Sequence, residues 1–289
     1  MMYFSRVRIR AGSKSLSTLV DILKNDIYGA HRLLWTLFPG QEKRNFLFRE
    51  EIAREQLGPA PTARGEPIYY LVSQSEPVAE SDSLFSVESK PYRPRIMNGD
   101  CFGFDCRVNP VVCRQGKKHD VIMDAQLQFL TEQIQSSQLE SSLPAKSNKG
   151  VYKKLLLNDD NKALNTRLTE LLENDLRYAE RLQQISTLSD KLEWAIKAHI
   201  DTVLENWLKA QGDRLGFELM TDSVGLSKLQ NSAYIWHSLN SKGKKAGFSS
   251  VDFAGQLRVT DMEKFEQALF HGIGRSKAFG CGLLLIQRV

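Results

Sequence analysis

Four glycines and two cations fall within the eleven residues Gly272-Ile-Gly-Arg-Ser-Lys-Ala-Phe-Gly-Cys-Gly282. A helix pattern (Asp261 to His271) precedes this segment and an apolar strand pattern, Leu283-Leu-Leu-Ile286, follows it. The chain must therefore turn from helix to strand through a glycine-dense loop. Glycine lets backbone amides approach a phosphate closely, and Arg275 and Lys277 add charge and hydrogen-bond donors. The loop is no Walker motif, since no Gly-Lys-Ser/Thr ends it. Nor is it a dinucleotide fingerprint, because no βαβ unit follows. A phosphate backbone fits it better than a mononucleotide does.

The rest of the chain alternates strand and helix patterns. Tyr3 to Arg10 alternates with a period of two, placing Val7 and Ile9 on one face and Arg6, Arg8 and Arg10 on the other. Ser15 can cap a helix running to Phe38, where Pro39-Gly40 stops it. Asn45 to Arg49 and Ile68 to Gln74 read as strands. Ser81 to Ser89 is ambiguous, a short helix being one reading. Cys101 to Arg114 reads as a strand closing the first half. This βαββαβ order is that of the split βαβ, ferredoxin-like arrangement. Asp120 to Gln135 then carries a helix pattern, and Ser136 to Gly150 is a polar linker. From about 151 to 212 apolar residues recur at threes and fours, with a break expected near Ser186 to Ser189. Strands resume at Gly216 to Met220, Ala233 to Leu239 and Phe248 to Val259. The expected fold is α+β: two tandem ferredoxin-like (RRM-like) βαββαβ domains, 1–114 and 115–289, with a helical insertion at about 136–212 in the second.

At 289 residues the chain is long enough for two such domains. A hydrophobic content of 42% and a mean hydropathy of −0.35 suit a globular protein without membrane segments. Arg6, Arg8 and Arg10 interrupt any signal-like apolar start, so the cytoplasm is the expected location. The net charge of +5 permits nucleic-acid binding without demanding it. Cys101, Cys106, Cys113 and His119 lack any C-x-x-C pair and fit no common zinc module, and buried strand thiols are the better reading. No metal is expected.

Tyr28 and His31 are three apart and so share a helix face. Imidazole titrates near neutrality and can take or give a proton. A phenol is a poor base at neutral pH but can orient a ribose, bond a phosphate or donate a proton. Without context, such a pair on an amphipathic helix reads equally as core or surface. Cations cluster in three places: Arg114, Lys117 and Lys118; Lys242, Lys244 and Lys245 at a hairpin tip; and Arg275 with Lys277. Phe102 and Phe104 point to one face and read as core. Cys101-Phe-Gly-Phe104 lacks the basic start of an aromatic RNA-reading strand.

These motifs, in this order, resemble the CRISPR repeat-processing endoribonucleases of the CasE type, subunits of the type I-E Cascade complex. The near-terminal G-I-G-x-x-K-x-x-G-C-G-L-L resembles that family's glycine-rich loop. Met2-Tyr-Phe-Ser-Arg-Val resembles its first strand, and Tyr28-Gly-Ala-His31-Arg-Leu-Leu-Trp35-Thr-Leu-Phe-Pro39 its active-site helix. Arg44-Asn-Phe-Leu-Phe48 resembles the second strand and Arg107-Val-Asn-Pro110 the turn ending the first domain. The helical segment at 151–212 departs from the pattern, and it reads as a stabilising hairpin or a partner surface.

The resemblance implies that His31 and Tyr28 are catalytic. It implies cleavage of CRISPR repeat precursor RNA at the 3′ side of its stem-loop, by 2′-hydroxyl attack and without cofactor. The products would be a 2′,3′-cyclic phosphate or 3′-phosphate and a 5′-hydroxyl. It implies RNA contacts from the three basic clusters and from Gly272, Gly274, Gly280 and Gly282. The partners would be the repeat hairpin, as precursor and mature RNA, and the Cascade backbone subunits, with target DNA met only through the complex. The alternatives are a non-cleaving subunit that holds the RNA hairpin and a coiled-coil adaptor built on 151–212.

Overall fold

Alternating apolar residues build the first sheet of the computed structural model, which describes residues 1–10, 28–52, 67–80, 83–143, 148–158, 161–239 and 246–289. In β1 (Met2–Ile9), Ser5, Val7 and Ile9 are buried and Arg8 is exposed, as the period of two requires. Helix α1 (Gly29–Trp35) follows, then β2 (Phe46–Ile52), β3 (Pro67–Ser73) and β4 (Phe85–Tyr92). All pairings are antiparallel, in the spatial order β2-β3-β1-β4. Leu34, Leu37 and Phe38 pack on the sheet through Val7, Phe46, Phe48, Tyr69, Leu71 and Phe85.

Of the ambiguous segment Ser81 to Ser89, the described residues resolve as the approach to β4 and its first half, with Phe85 at 1% exposure. A strand here completes β1's second edge. The first half of the expected helix 15–38 lies outside the described residues.

The second sheet contains β5 (Cys101–Val108), β8 (Phe217–Leu219), β9 (Gln230–Ser238), β10 (Gly247–Val259) and β11 (Leu284–Arg288). Its order is β11-β5-β10-β8, with β9 also paired to β10. Both sheets thus follow the order fourth-first-third-second along their own strands, the ferredoxin-like order, used twice. The segment expected to close the first half therefore opens the second. Pro110 separates β5 from the short β6 (Val111–Arg114), so 101–114 is two strands rather than one. Phe102 and Phe104 are core, at 4% and 5% exposure.

The chain divides into two compact units, one formed by Met1–Asn109 with Lys209–Val289, the other by Pro110–Leu208. The second holds the hairpin β6 and β7 (Lys117–Asp120), then α2 (Val121–Ser136), α3 (Lys149–Leu156), α4 (Lys162–Glu173) and most of α5 (Leu188–Leu215). Asp120 caps α2 by accepting from the amides of Ile122 and Met123. Leu130, Ile134, Leu156, Leu164, Leu168, Leu172 and Leu192 form its core, each essentially inaccessible. The break expected near Ser186 to Ser189 is the end of a longer one that opens after Glu173, and α3 and α4 are themselves separate, so the expected two-helix hairpin is three helices. The insertion expected at 136–212 shares this unit with β6, β7 and α2.

Candidate active site

Helix α1 presents two faces. Gly29, Ala30 and Leu34 are buried on one. His31, half-buried, is enclosed by rings: Phe46 stacks on it at 5.6 Å between centroids, Trp35 meets it edge-on at 5.2 Å and Phe48 lies at 6.4 Å. Its Nε2 is buried and has no hydrogen-bond partner among the described residues. Burial, and then the nearby Arg44 guanidinium, hold its pKa below the usual histidine value. The imidazole is thus neutral at pH 7, with a ring nitrogen uncommitted. Tyr28 stands at the N-cap position of α1, its ring 6.4 Å from that of His31 and nearly perpendicular to it.

The glycine-rich loop packs against this helix. It leaves α6 (Met262–His271), which Asp261 caps by accepting from the Lys264 amide. Gly272 has φ +74° and Gly282 has φ +94°. A Cβ on Gly272 would lie 2.7 Å from the Gly282 carbonyl oxygen, and one on Gly282 would lie 2.7 Å from that of Ile273. The loop can close only with glycine at both positions. Closure brings the Ile273 amide to donate to Gly282 and the Gly282 amide to donate to Arg107. Between them, Lys277–Phe279 form a single 3-10 turn, bracketed by Ser276 (φ +57°) and Gly280 (φ +76°).

Four contacts tie that turn down. The Phe279 ring lies 4.5 Å from that of Tyr28 and 4.7 Å from that of Phe248. The Ser276 hydroxyl donates to Asn109 Oδ1 at 3.0 Å, and Asn109 Nδ2 donates to the Ser249 carbonyl at 2.7 Å. Gly280 faces the Phe48 ring, which also neighbours His31. Lys277 is part-buried, and burial followed by Arg44 pushes its pKa down. Burial lowers Arg44 as well. Burial lowers both cations and Arg44 lowers Lys277 further, so positive charge sits here with reduced solvation, suited to an anion.

The family model described as "CRISPR associated protein" matches residues 2–288. The chain belongs to that family. No curated protein matches it. Among solved structures it is similar to the CRISPR endoribonuclease Cse3 bound to a 19-nucleotide RNA, at 17% identity, 99% of each chain and a TM-score of 0.57. The Thermus thermophilus Cse3 bound to an RNA representing a pre-cleavage complex gives 17% identity, 99% and 98% coverage and a TM-score of 0.55. A CRISPR-associated protein from Thermus thermophilus gives 18%, 99% and 100%, and 0.53. At these identities the likeness is one of fold: two tandem ferredoxin-like domains.

This CRISPR-associated chain brings Tyr28, His31, Gly272, Gly280, Gly282 and Lys277 together in one compact unit, with Gly274 at φ +73° and Arg275 exposed on the same loop. Arg114, Lys117 and Lys118 lie on the β6–β7 hairpin of the other unit, exposed around the turn Gln115-Gly116. There Arg114 pairs with Asp124 at 3.3 Å. Lys242, Lys244 and Lys245 lie outside the described residues. Among the described residues, no group of three His, Cys, Asp or Glu side chains could hold a metal ion, and no helix is long and apolar enough to cross a membrane.

Sequence reasoning gave Arg44 and Phe279 no role at the site. Arg44 is thirteen residues beyond His31, past the turn at Pro39-Gly40, and only the return of β2 brings it back. Its signal was the basic pair Lys43-Arg44 directly before a strand that carries Phe46 and Phe48 on one face.

Proposed function

We propose that this chain is a metal-independent endoribonuclease that cleaves CRISPR repeat precursor RNA at the 3′ side of its stem-loop and keeps the product as a Cascade subunit. The observation that carries the reading is His31: a neutral imidazole with an uncommitted nitrogen, on one helix face with Tyr28 and in the field of Arg44. The similar structures, a CRISPR endoribonuclease with RNA bound, support the substrate class.

In the proposed step a base takes the proton of the 2′-hydroxyl, and the 2′-oxygen bonds to the adjacent phosphorus as the bond from phosphorus to the 5′-oxygen breaks. The departing oxygen takes a proton from an acid, leaving a 2′,3′-cyclic phosphate and a 5′-hydroxyl. His31 carries proton transfer and Tyr28 orients or protonates. A pentacoordinate phosphorus gathers negative charge, which Arg44 and Lys277 are placed to offset. The amides around Gly272, Gly274, Gly280 and Gly282 and the Arg275 guanidinium hold the RNA backbone in this reading. Arg114, Lys117 and Lys118, and separately Lys242, Lys244 and Lys245, also contact RNA in this reading, where A-form geometry favours phosphate and shape contacts over base readout. The boundary between the two ferredoxin-like halves falls before β5 rather than at 114, since β5 pairs with β10 and β11.

His31→Ala tests the reading. Cleavage of repeat RNA should fall by about 10²–10⁴-fold, the range for removing a general acid or base, while RNA affinity stays near that of the parent. A parent chain that binds the hairpin and leaves it intact points instead to a structural subunit.

A further inference from the structure

Tyr28 occupies an exacting position. It stands at the first end of a seven-residue helix and makes no side-chain capping bond there. A helix so short is not stable by itself and takes its geometry from what it packs on. Among the described residues, the glycine-rich loop packs at this end. The Phe279 ring meets both the Tyr28 ring at 4.5 Å and the Phe248 ring at 4.7 Å, tilted by 52° and 34°. The neighbouring residue on β10, Ser249, receives the second tie through buried Asn109 to Ser276. Thus one point on β10, Phe248-Ser249, holds both ends of the turn, and the turn holds Tyr28.

The backbone of the turn does not need an aromatic residue at 279. Its shape is set by the left-handed residues at 276 and 280 and by the Phe279 amide donating to the Ser276 carbonyl at 2.9 Å. The ring therefore has a reason beyond the turn itself. Phe279 is only half-buried, so filling the core is a poor account of it, whereas two ring contacts in series make a rigid spacer.

We infer that Phe279 is a positioning residue for RNA cleavage: backed by Phe248, its ring fixes the Tyr28 phenol in register with His31. The inference rests on the endoribonuclease reading above and adds a residue that acts on the reaction through Tyr28. Positioning of this kind governs rate more than affinity, and a displacement of about 1 Å can cost on the order of 100-fold.

The test compares single-turnover cleavage and affinity on one repeat RNA for the parent, Phe279→Ala, Phe279→Tyr, Tyr28→Ala and the double variant Phe279→Ala/Tyr28→Ala. Phe279→Ala should slow cleavage by roughly 10- to 100-fold and leave Kd nearly unchanged. Phe279→Tyr should restore the parental rate. In the Tyr28→Ala background, Phe279→Ala should add no further loss, because residues acting as a unit are not additive. Phe279→Leu, which keeps apolar volume without a flat ring, should show the same rate defect and a near-parental melting curve, which separates positioning from folding. A parental rate in Phe279→Ala, an additive loss in the double variant, or a fall in affinity as large as the fall in rate each overturns the inference. The last outcome would make Phe279 a base-stacking contact. A parent that cleaves no repeat RNA overturns the endoribonuclease reading itself and this inference with it.

Discussion

The two sheets share one strand order but differ in what joins the first strand to the second. Between β1 and β2 runs the connection that carries α1, and it bears Tyr28 and His31. Between β5 and β8 the chain instead runs out through a whole helical unit, 110–208, which packs on its own apolar core. The other connections differ in the opposite sense: β3 to β4 carries no helix among the described residues, whereas β10 to β11 carries α6 and the glycine-rich loop. The duplicated frame is thus a scaffold, and the candidate chemistry comes from one connection of each half, α1 from the first and the glycine loop from the second. Neither half would hold the site alone.

If that division of labour is right, damage to the two kinds of connection should separate. Leu168→Ala, in the inaccessible core of the helical unit, should cost about 2–5 kcal/mol by denaturant unfolding. Cleavage by the folded variant should persist, and its loss would break the comparison by making the insertion part of the catalytic apparatus. Gly282→Ala should cost less, about 1–3 kcal/mol, from a left-handed residue and a Cβ in contact with a carbonyl. Yet it should abolish cleavage, because the loop that carries Lys277 and Phe279 could not close. Gly99→Ala, also at positive φ but facing open space, is the control that isolates the closure effect.

The smallest effect sharpens the electrostatics. Arg44→Gln removes a cation that depresses His31, so the His31 pKa should rise, partway only, because burial is the larger cause. Histidine Hε1 shifts in an NMR titration would report it. The sign for stability follows: His31 folds with its pKa below the unfolded value near 6.5, so the unfolded chain binds the extra proton. That contribution to stability is in place above 6.5 and is lost as pH falls through the window down to the depressed pKa. Arg44→Gln should narrow that window, and a rate loss of about tenfold should accompany it if the guanidinium offsets charge on the phosphate.

The parts of this molecule written locally were legible in its sequence. The alternation in 3–10, the cap at Asp261, the end of the break before Leu188 and the glycine density at 272–282 each act within a few residues, and each is where the sequence placed it. What depends on distant pairing was not. Period two says that Cys101–Val108 is a strand but not which sheet receives it, and its partners β10 and β11 lie about 150 and about 180 residues on. Ser81 to Ser89 was ambiguous for the same reason, since only β1's open edge decides that Phe85–Tyr92 is extended. At the site, helical spacing put Tyr28 and His31 side by side, and it took the family resemblance to single them out. Arg44 and Phe279 were not, because their roles arise from where β2 and the 3-10 turn return in space.

The central claim is most directly tested with two repeat RNAs incubated with the pure protein in EDTA, one all-ribose and one carrying a single 2′-deoxy nucleotide at the scissile position. The account predicts one cut in the first, at the 3′ base of the stem, with a 2′,3′-cyclic phosphate end, and no cut in the second. Cleavage of both, or of neither until a divalent cation is added, would contradict it.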